Sequence, residues 1–189
     1  MKRIVIFASG SGTNAENIIK YFDQSAVATV TRVFTNKQHA KVIERAKRLK
    51  VSSLYFDKMA FYHDDTILNL LKEEADIIVL AGFLWRIPEK IVKAFPNKII
   101  NIHPALLPKY GGKGMYGMHV HEAVIENKEE ETGITIHFVN ENYDEGAIIF
   151  QKSTHLDATD TPEMVANKIH KLEYAHFPRV IEEVILKSS

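Results

Sequence analysis

The stretch that decides the fold is Arg3-Ile4-Val5-Ile6-Phe7-Ala8, which runs directly into Ser9-Gly10-Ser11-Gly12-Thr13-Asn14-Ala15. The first part is a continuous apolar run, which is typical of a parallel strand covered by helices on both faces. The second part is a glycine-rich turn that opens a helix predicted over 14–22. A strand, a glycine turn and a helix in this order predict an α/β protein with an anion site at the helix start.

The rest of the first half repeats this alternation. Strands are predicted at 27–34, 51–56, 76–81 and 98–102, and helices at 40–49, 65–75 and 88–95. The alternation predicts a mostly parallel central sheet with helices on both faces. After it, a helix is predicted at 118–126 and strands at 132–139 and 147–154. The short connection between these two strands predicts an antiparallel C-terminal extension of the sheet.

The last predicted element is a long helix. Thr161 is its predicted N-cap and Pro162 its first residue, because proline is favoured at that position. An apolar stripe follows at helical spacing. Pro178 lies inside the stripe and predicts a kink, since a proline removes one helical hydrogen bond.

Composition restricts the class of protein. The 189 residues suit one domain, and 24 basic residues balance 24 acidic ones, so no global field favours nucleic acid or an anionic membrane. The chain has no cysteine, which fits a reducing compartment. No apolar run is long enough for a signal peptide or a membrane span. We expect a cytoplasmic protein, monomeric or homodimeric, with no nucleic-acid or membrane partner.

A second informative stretch, Asn101-Ile102-His103-Pro104, ends the fifth predicted strand. Asn101 and His103 should point to the same side, because side chains alternate along a strand. The ends of parallel strands are where α/β proteins bind ligands. An amide and an imidazole there could hold a carbonyl and move a proton, whereas the alternative is a capping Asn and a structural His.

Asp144 lies in the loop that connects the last two strands. A turn aspartate is the ordinary explanation. The functional interpretation requires that the loop bring it beside His103, where a carboxylate would raise the imidazole pKa and fix the ring's orientation.

Other residues leave alternatives open. Gly10, Gly12 and Ala15 match a relaxed dinucleotide pattern, but no acidic residue follows the second strand, so NAD is disfavoured, whereas Lys37 could meet the 2′-phosphate of NADP. His119 and His121 could join His103 around a metal, although their spacing is not diagnostic. His137 could lie in the core or line the site. The apolar and aromatic loop 81–88 could form a wall for a flat ligand, or Trp85 could simply pack in the core.

Taken together, these residues resemble the phosphoribosylglycinamide formyltransferases, folate-dependent enzymes of purine synthesis. The segments that carry the resemblance are Ser9-Gly10-Ser11-Gly12-Thr13-Asn14, Ala81-Gly82-Phe83-Leu84, Asn101-Ile102-His103-Pro104-Ala105-Leu106-Leu107-Pro108-Lys109-Tyr110, Thr132-Gly133-Ile134-Thr135-Ile136-His137-Phe138-Val139 and Tyr143-Asp144-Glu145-Gly146. The resemblance implies a Rossmann-like formyltransferase fold in one domain, 1–189. Its nucleotide- and phosphate-binding half would be 1–100, and its catalytic and folate-binding half 101–189.

The resemblance also implies an activity and residue roles. The activity is transfer of a formyl group from the co-substrate 10-formyltetrahydrofolate to the amine of glycinamide ribonucleotide, without a metal. The implied catalytic residues are Asn101, His103 and Asp144. The residues implied for the substrate phosphate and ribose are Gly12, Thr13, Asn14 and Glu173. Those implied for folate are Leu84, Trp85, Arg86, Ile87, Asn140, Glu141 and Tyr143.

Two segments depart from the family pattern. Trp85 stands between Leu84 and Arg86, where the better-known bacterial members continue from Ala-Gly-Phe-x directly into Arg-Ile. The loop 111–118 is longer than usual, and its glycines predict a mobile cover over the ribonucleotide. Two other functions remain as alternatives: an NADP-dependent reductase and a non-catalytic ligand sensor on a Rossmann-like fold.

Overall fold

The chain folds around one seven-stranded sheet, described over residues 1–188 by a computed structural model. The strands are β1 (Lys2–Phe7), β2 (Ala28–Thr35), β3 (Ser52–Tyr55), β4 (Ile77–Leu80), β5 (Ile99–His103), β6 (Glu131–Phe138) and β7 (Ile148–His155). Their order across the sheet is β3-β2-β1-β4-β5-β6-β7. The first five in this order are parallel, and β6 and β7 are each antiparallel to the preceding strand. The predicted sheet is therefore confirmed, including its antiparallel extension.

The predicted helices are also present. They are α1 (Thr13–Phe22), α2 (Lys41–Arg48), α3 (Thr66–Glu74), α4 (Glu89–Ala94), α5 (Met118–Glu126) and α6 (Pro162–Lys187). A π-helical segment, Met59–His63, precedes α3 and was not predicted. Phe61 is its one buried residue, so the sequence has no helical apolar period at this place.

Strand β1 explains why both faces of the sheet are covered. Ile4 and Ile6 pack into one buried cluster together with α1, α5 and α6. Val5 and Phe7 pack into a second cluster on the opposite face, with residues of α3 and α4. Because successive side chains of a strand point to opposite faces, a continuous apolar run is what a doubly covered strand requires.

The second cluster is unusually aromatic. It contains the rings of Phe7, Phe34, Phe56, Phe61, Phe83 and Trp85. The Phe61 centroid lies 4.9 Å from that of Phe56 and 6.0 Å from that of Trp85. The π-helical segment thus packs its one buried ring under the loop that follows β4.

Helix α6 begins as predicted. The Thr161 hydroxyl accepts a hydrogen bond from the amide of Met164 at 3.3 Å, and Pro162 is the first helical residue. The helix continues through Pro178 without a break. Within residues 1–188, no helix has both the length and the apolar character that crossing a membrane requires.

The strand order places a crevice between β1 and β4. From β1 the chain proceeds to β2 and β3 on one side, whereas β4 and β5 lie on the other. Ligands of open α/β sheets bind outside the carboxyl ends of the strands at such a reversal point. The glycine turn after β1 and the loop after β4 meet there, because the Ser9 amide donates to the Gly82 carbonyl at 3.0 Å.

We expect the aromatic cluster to contribute strongly to stability. Phe61→Ala should lower the free energy of unfolding by about 3–5 kcal/mol, because it removes a fully buried ring and leaves a cavity. Met59→Ala is the control from the same segment, since Met59 is 61% exposed, and it should change stability by less than about 0.5 kcal/mol. Urea unfolding of both variants measures the difference, and equal effects would contradict the assigned packing.

Candidate functional site

A cavity of about 710 Å³ lies at the reversal point of the sheet. Its volume falls in the range of about 300–1,000 Å³ that is usual for small-molecule sites. All of the predicted site residues except Glu141 line it. Residues 112–117 of the long glycine loop line it as well, and so does Lys37.

One end of the cavity is suited to an anion. Gly12 has φ +74°, and a Cβ there would lie 2.3 Å from Cγ2 of Val42, so this turn requires glycine. No side chain caps the first turn of α1, which begins at Thr13. Its first amides are therefore available to a ligand, and the helix dipole favours a negative one.

Glu173 brings α6 to the same end of the cavity. It is 5% exposed, and its carboxylate accepts a hydrogen bond from Nδ2 of Asn14 at 2.9 Å. The same oxygen lies 2.9 Å from Nδ1 of His170. This hydrogen bond raises the pKa of His170. A carboxylate held between an amide and an imidazole at a helix start suits the hydroxyl groups of a ribose.

The middle of the cavity contains an amide and an imidazole in direct contact. Asn101 on β5 pairs across the sheet with His137 on β6, and its Nδ2 lies 3.1 Å from Nε2 of that ring. Nδ1 of His137 lies 2.8 Å from the carbonyl of Phe138. Because a carbonyl only accepts, Nδ1 carries the proton and Nε2 accepts from Asn101. The alternation of β6 left core and site open for His137, and the structure shows that it lines the site.

His103 and Asp144 come together as the functional interpretation required. Nδ1 of His103 lies 3.6 Å from Oδ2 of Asp144, and the two side chains are 5% and 12% exposed. Nε2 of His103 lies 2.7 Å from the carbonyl of Tyr110 and must donate to it. The other carboxylate oxygen, Oδ1, lies 3.6 Å from Nε2 of His137. The carboxylate therefore lies between two imidazoles.

Burial and charge act in opposite directions on this group of residues. Burial lowers the pKa of His103, and this outweighs the Asp144 carboxylate and the bond to Tyr110, which raise it. Burial raises the pKa of Asp144. His137, the charge of His103 and the hydrogen bond from the Gly112 amide lower it by more than burial raises it, so the pKa lies below its usual value. In its neutral tautomer His103 presents the lone pair of Nδ1 to the carboxylate. His103 and Asp144 can therefore take up one proton and hold it as an ion pair.

Local backbone geometry holds the Asp144 loop in place. Gly146 lies so close to β6 that a Cβ there would be 1.6 Å from the carbonyl oxygen of Phe138, so glycine is required. Asp144 itself has φ +53°, which aspartate tolerates better than most residues. Its Oδ2 accepts a hydrogen bond from the Gly112 amide at 2.9 Å. The position of the carboxylate is thus fixed both by the backbone of its own loop and by the Gly112 amide of the loop 111–118.

The opposite end of the cavity is apolar and aromatic. Trp85 both packs in the aromatic cluster and lines the cavity, so it is at once part of the core packing and part of the cavity wall. The guanidinium of Arg86 donates to the main-chain carbonyl of Glu141, and the Tyr62 hydroxyl donates to the carbonyl of Arg86 at 3.0 Å. The side chain of Glu141 is exposed outside the cavity. An aromatic wall at one end of a cavity suits a flat heterocycle.

A buried hydroxyl that sequence reasoning missed connects the two ends. Ser9 is 1% exposed, and its Oγ donates to Oδ1 of Asn36 at 2.7 Å. The same Oγ accepts from the Leu84 amide at 2.9 Å. Ser9 thereby joins the glycine turn to the loop after β4. One serine among the polar residues of a turn gives no sequence signal for such a bridge.

The histidines considered for a metal do not converge. The side chain of His119 is 64% exposed and lies 3.6 Å from Glu122, whereas His121 is buried and lines the cavity. Burial lowers the pKa of His121, and so does the charge of His170. Among residues 1–188, no three or more side chains of the types that bind metals are arranged around a common point.

Comparison with known proteins gives consistent matches over nearly the whole chain. Residues 2–181 match the formyl transferase family. The chain is 39% identical over 187 residues to the chloroplastic phosphoribosylglycinamide formyltransferase of Arabidopsis thaliana, with 95% of this chain and 64% of the plant protein covered. It is 35% identical over 191 residues to the phosphoribosylglycinamide formyltransferase of Bacillus subtilis strain 168, with 98% and 95% covered. The crystal structure of phosphoribosylglycinamide formyltransferase from Bacillus halodurans matches with a TM-score of 0.88 at 34% identity, covering 100% and 97% of the two chains.

The Ser9 bridge generates a prediction about stability. Ser9→Ala should lower the free energy of unfolding by about 1–3 kcal/mol, because a buried carbonyl oxygen and a main-chain amide both lose their partner. Ser11→Ala in the same turn is the control, since Ser11 is exposed, and it should cost less than about 0.5 kcal/mol. Thermal or urea unfolding compares the two, and indistinguishable stabilities would show that the bridge contributes nothing.

Proposed function

The chain belongs to the formyl transferase family, and we propose that it transfers the formyl group of 10-formyltetrahydrofolate to the amine of glycinamide ribonucleotide. The observation that carries this proposal is the convergence of Asn101, His103 and Asp144 in one cavity, beside a helix start suited to phosphate. Two relatives that match 95% and 98% of this chain have the same activity in their names. The substrates proposed are small molecules.

The two ends of the cavity support one arrangement of the substrates. The phosphate of the ribonucleotide binds the amides at Gly12, Thr13 and Asn14, and its ribose reaches Glu173. The pterin of the folate lies in the apolar end; the residues proposed to bind it are Leu84, Trp85, Arg86, Ile87, Asn140 and Tyr143, together with the main chain of Glu141, whose carbonyl accepts from Arg86. In the single domain that we propose, 1–189, the half 1–100 binds phosphate and the half 101–189 supplies the catalytic groups.

The reaction begins when the neutral amine attacks the formyl carbon, and the formyl oxygen becomes negative. Asn101 donates to this oxygen. Its Nδ2 has two hydrogens, of which one is directed to His137 and the other remains free for the substrate. A donor aimed at a developing oxyanion is typically worth about 3–4 kcal/mol.

Protonated His103 supplies the second donor. With Nε2 bound to the Tyr110 carbonyl, the proton that charges the ring sits on Nδ1, which faces Asp144. The 3.6 Å separation is too long for a direct hydrogen bond and leaves Nδ1–H able to share a ligand oxygen or a water. Asp144 stabilises the imidazolium and, through such a water, moves the proton from the attacking amine to the leaving nitrogen of the folate, as the bond between that nitrogen and the formyl carbon breaks and the carbonyl re-forms. The proposed reaction includes no metal and no covalent intermediate.

The experiment that tests the function measures consumption of 10-formyl-5,8-dideazafolate by absorbance, with and without glycinamide ribonucleotide. Turnover that requires both components is the expected result. The alternatives give different results: a reductase would bind NADPH in a fluorescence titration, and a sensor would bind ligand without turnover. Either of these outcomes, in the absence of formyl transfer, would overturn the proposal.

The proposed roles of His103 and Asp144 predict a loss in turnover rather than in binding. His103→Ala and Asp144→Asn should each lower kcat by about 10²–10⁴-fold with KM changed by only a few fold, because both groups act as charge develops. Glu145→Gln is the matched control, since this neighbouring carboxylate is exposed, and it should leave kcat unchanged. Turnover within a few fold of wild type for Asp144→Asn would remove its assigned role.

The proposed phosphate end predicts the opposite pattern. Asn14→Ala should raise the KM for the ribonucleotide by about tenfold, with little change in kcat or in the KM for folate, because one hydrogen bond near the ligand is lost. Asn17→Ala lies on the same helix and donates instead to the Tyr174 carbonyl, so it should leave this KM unchanged. Steady-state kinetics with each substrate varied separates the two, and an effect confined to the folate KM would contradict the assignment.

A further inference from the structure

The turn that follows β5 contacts both members of the His103–Asp144 pair through its backbone. The Tyr110 carbonyl accepts from Nε2 of His103 at 2.7 Å, and two residues later the Gly112 amide donates to Oδ2 of Asp144 at 2.9 Å. The first contact determines which nitrogen of the imidazole carries the proton. The second determines where the carboxylate points. The position of this short segment therefore sets the geometry of the proton-handling pair.

Tyr110 adopts a conformation that does not persist unaided. Its φ is +56°, in the left-handed region that a bulky side chain rarely occupies. Such a conformation is retained only where surrounding contacts hold it. The nearby Gly112 also has a positive φ, +92°, so the turn has no regular secondary structure of its own to support it.

The contacts that hold Tyr110 lie outside the cavity. Its ring packs against the larger apolar cluster, and its hydroxyl donates to Oε1 of Glu129 at 2.9 Å. Glu129 is itself held by its backbone, because its amide donates to the Val124 carbonyl of α5 at 3.2 Å. Its carboxylate also pairs with Nζ of Lys109 at 3.0 and 3.2 Å, but this lysine is exposed and such a pair contributes little. Burial and the bond to Glu129 raise the pKa of Tyr110 to about 12, so the hydroxyl remains a donor at neutral pH.

We propose that Tyr110, anchored by Glu129, is a positioning residue for the reaction, because this anchor fixes the turn whose carbonyl and amide orient His103 and Asp144. The kinetic test of this inference rests on the proposed function, whereas the effect on the orientation of His103 does not. Neither Tyr110 nor Glu129 lines the cavity through its side chain, so neither contacts the substrates in this assignment. They act through the backbone of the turn.

The charge of Asp144 in the loop raises the pKa of His103, and His137 on β6 lowers it. The anchor reaches the ring by a different route, because Nε2 of His103 donates to the carbonyl of the turn itself. Glu129→Gln removes the charge of Glu129 and keeps an acceptor oxygen, so it separates the position of the turn from the field of the lost charge.

The test combines kinetics with nitrogen-15 NMR of the imidazole rings. Tyr110→Phe keeps the ring and removes only the hydroxyl. We expect kcat to fall by between about ten- and a hundredfold with both KM values within a few fold, because a displacement of catalytic groups costs rate more than binding. In the wild type, His103 should have the proton of its neutral form on Nε2. In the variant, the NMR shifts should indicate a mixture of the two tautomers.

Four further variants test whether the hydrogen bond between Tyr110 and Glu129 is the cause of these effects. Glu129→Ala should reproduce both effects of Tyr110→Phe, and the double variant should be no worse than either single one, because the two residues act as a unit. Glu129→Gln retains an acceptor oxygen and should recover most of the rate. Lys109→Ala removes the ion pair and leaves the tyrosine bond, so it should resemble the wild type. Circular dichroism checks that each variant is folded.

Several results would overturn the inference. These are an unchanged kcat and tautomer in Tyr110→Phe, a change confined to KM, or a Lys109→Ala variant as impaired as Tyr110→Phe. The NMR measurement uses the protein without substrates. If the wild type did not transfer formyl groups, the proposed function would fail while the positioning of His103 would still be tested.

Discussion

The register between β5 and β6 is the constraint on which the site depends. Asn101 lies opposite His137, and His103 lies opposite Thr135. A slip of one residue would turn every side chain of β6 to the other face, which would bury the ring of His137 in the core and leave Asn101 without its partner. Thr135 holds this register, because its buried hydroxyl donates to the Ala105 carbonyl at 2.7 Å and accepts from the Leu107 amide at 3.0 Å.

An irregularity in the pairing of β6 with β7 lies beside the loop that brings the acid to the imidazoles. The pairing of β6 with β7 shifts register between Ile136 and His137, as in a β-bulge. Bulges redirect a side chain and bend the strand, and they are frequent next to active sites. Beyond this point the chain turns back through Asp144 and is closed by Gly146. The bulge therefore links the ladder that holds His137 to the loop that holds its neighbouring carboxylate.

The sequence predicted the fold almost completely for a physical reason. Continuous apolar runs such as Arg3 to Ala8 alternate with segments of helical period, and every predicted helix or strand is present. Each predicted bound lies within one residue of the observed one, and no end was predicted for α6. Both faces of this sheet are buried, so the pattern is strong at each strand. The π-helical segment was missed because its single buried residue, Phe61, gives no period. What determines that segment is a tertiary contact with distant aromatic rings.

The candidate site could be predicted only in part. Asn101 and His103 were found by the alternation within one strand, which is local information. The proximity of Asp144 was conditional on a loop, and the structure provides it. The roles of Ser9 and His137 depend on contacts with residues far along the chain, and no spacing within the sequence encodes them. Glu129 is a charged residue in a turn, which is the ordinary place for one.

The two ends of the cavity are supported by different interactions, so a substitution at one end should have little effect on the other. The phosphate end depends on glycine geometry at Gly12 and on the contact of Asn14 with Glu173 across α1 and α6. The proton-handling residues depend on the β5–β6 register and on the turn that carries Tyr110. Residues that are distant and share no partners change a protein's free energy nearly additively. Ser9 lies in the glycine turn and contacts the loop at the apolar end through both its hydroxyl and its amide, so a change at Ser9 would affect both ends of the cavity.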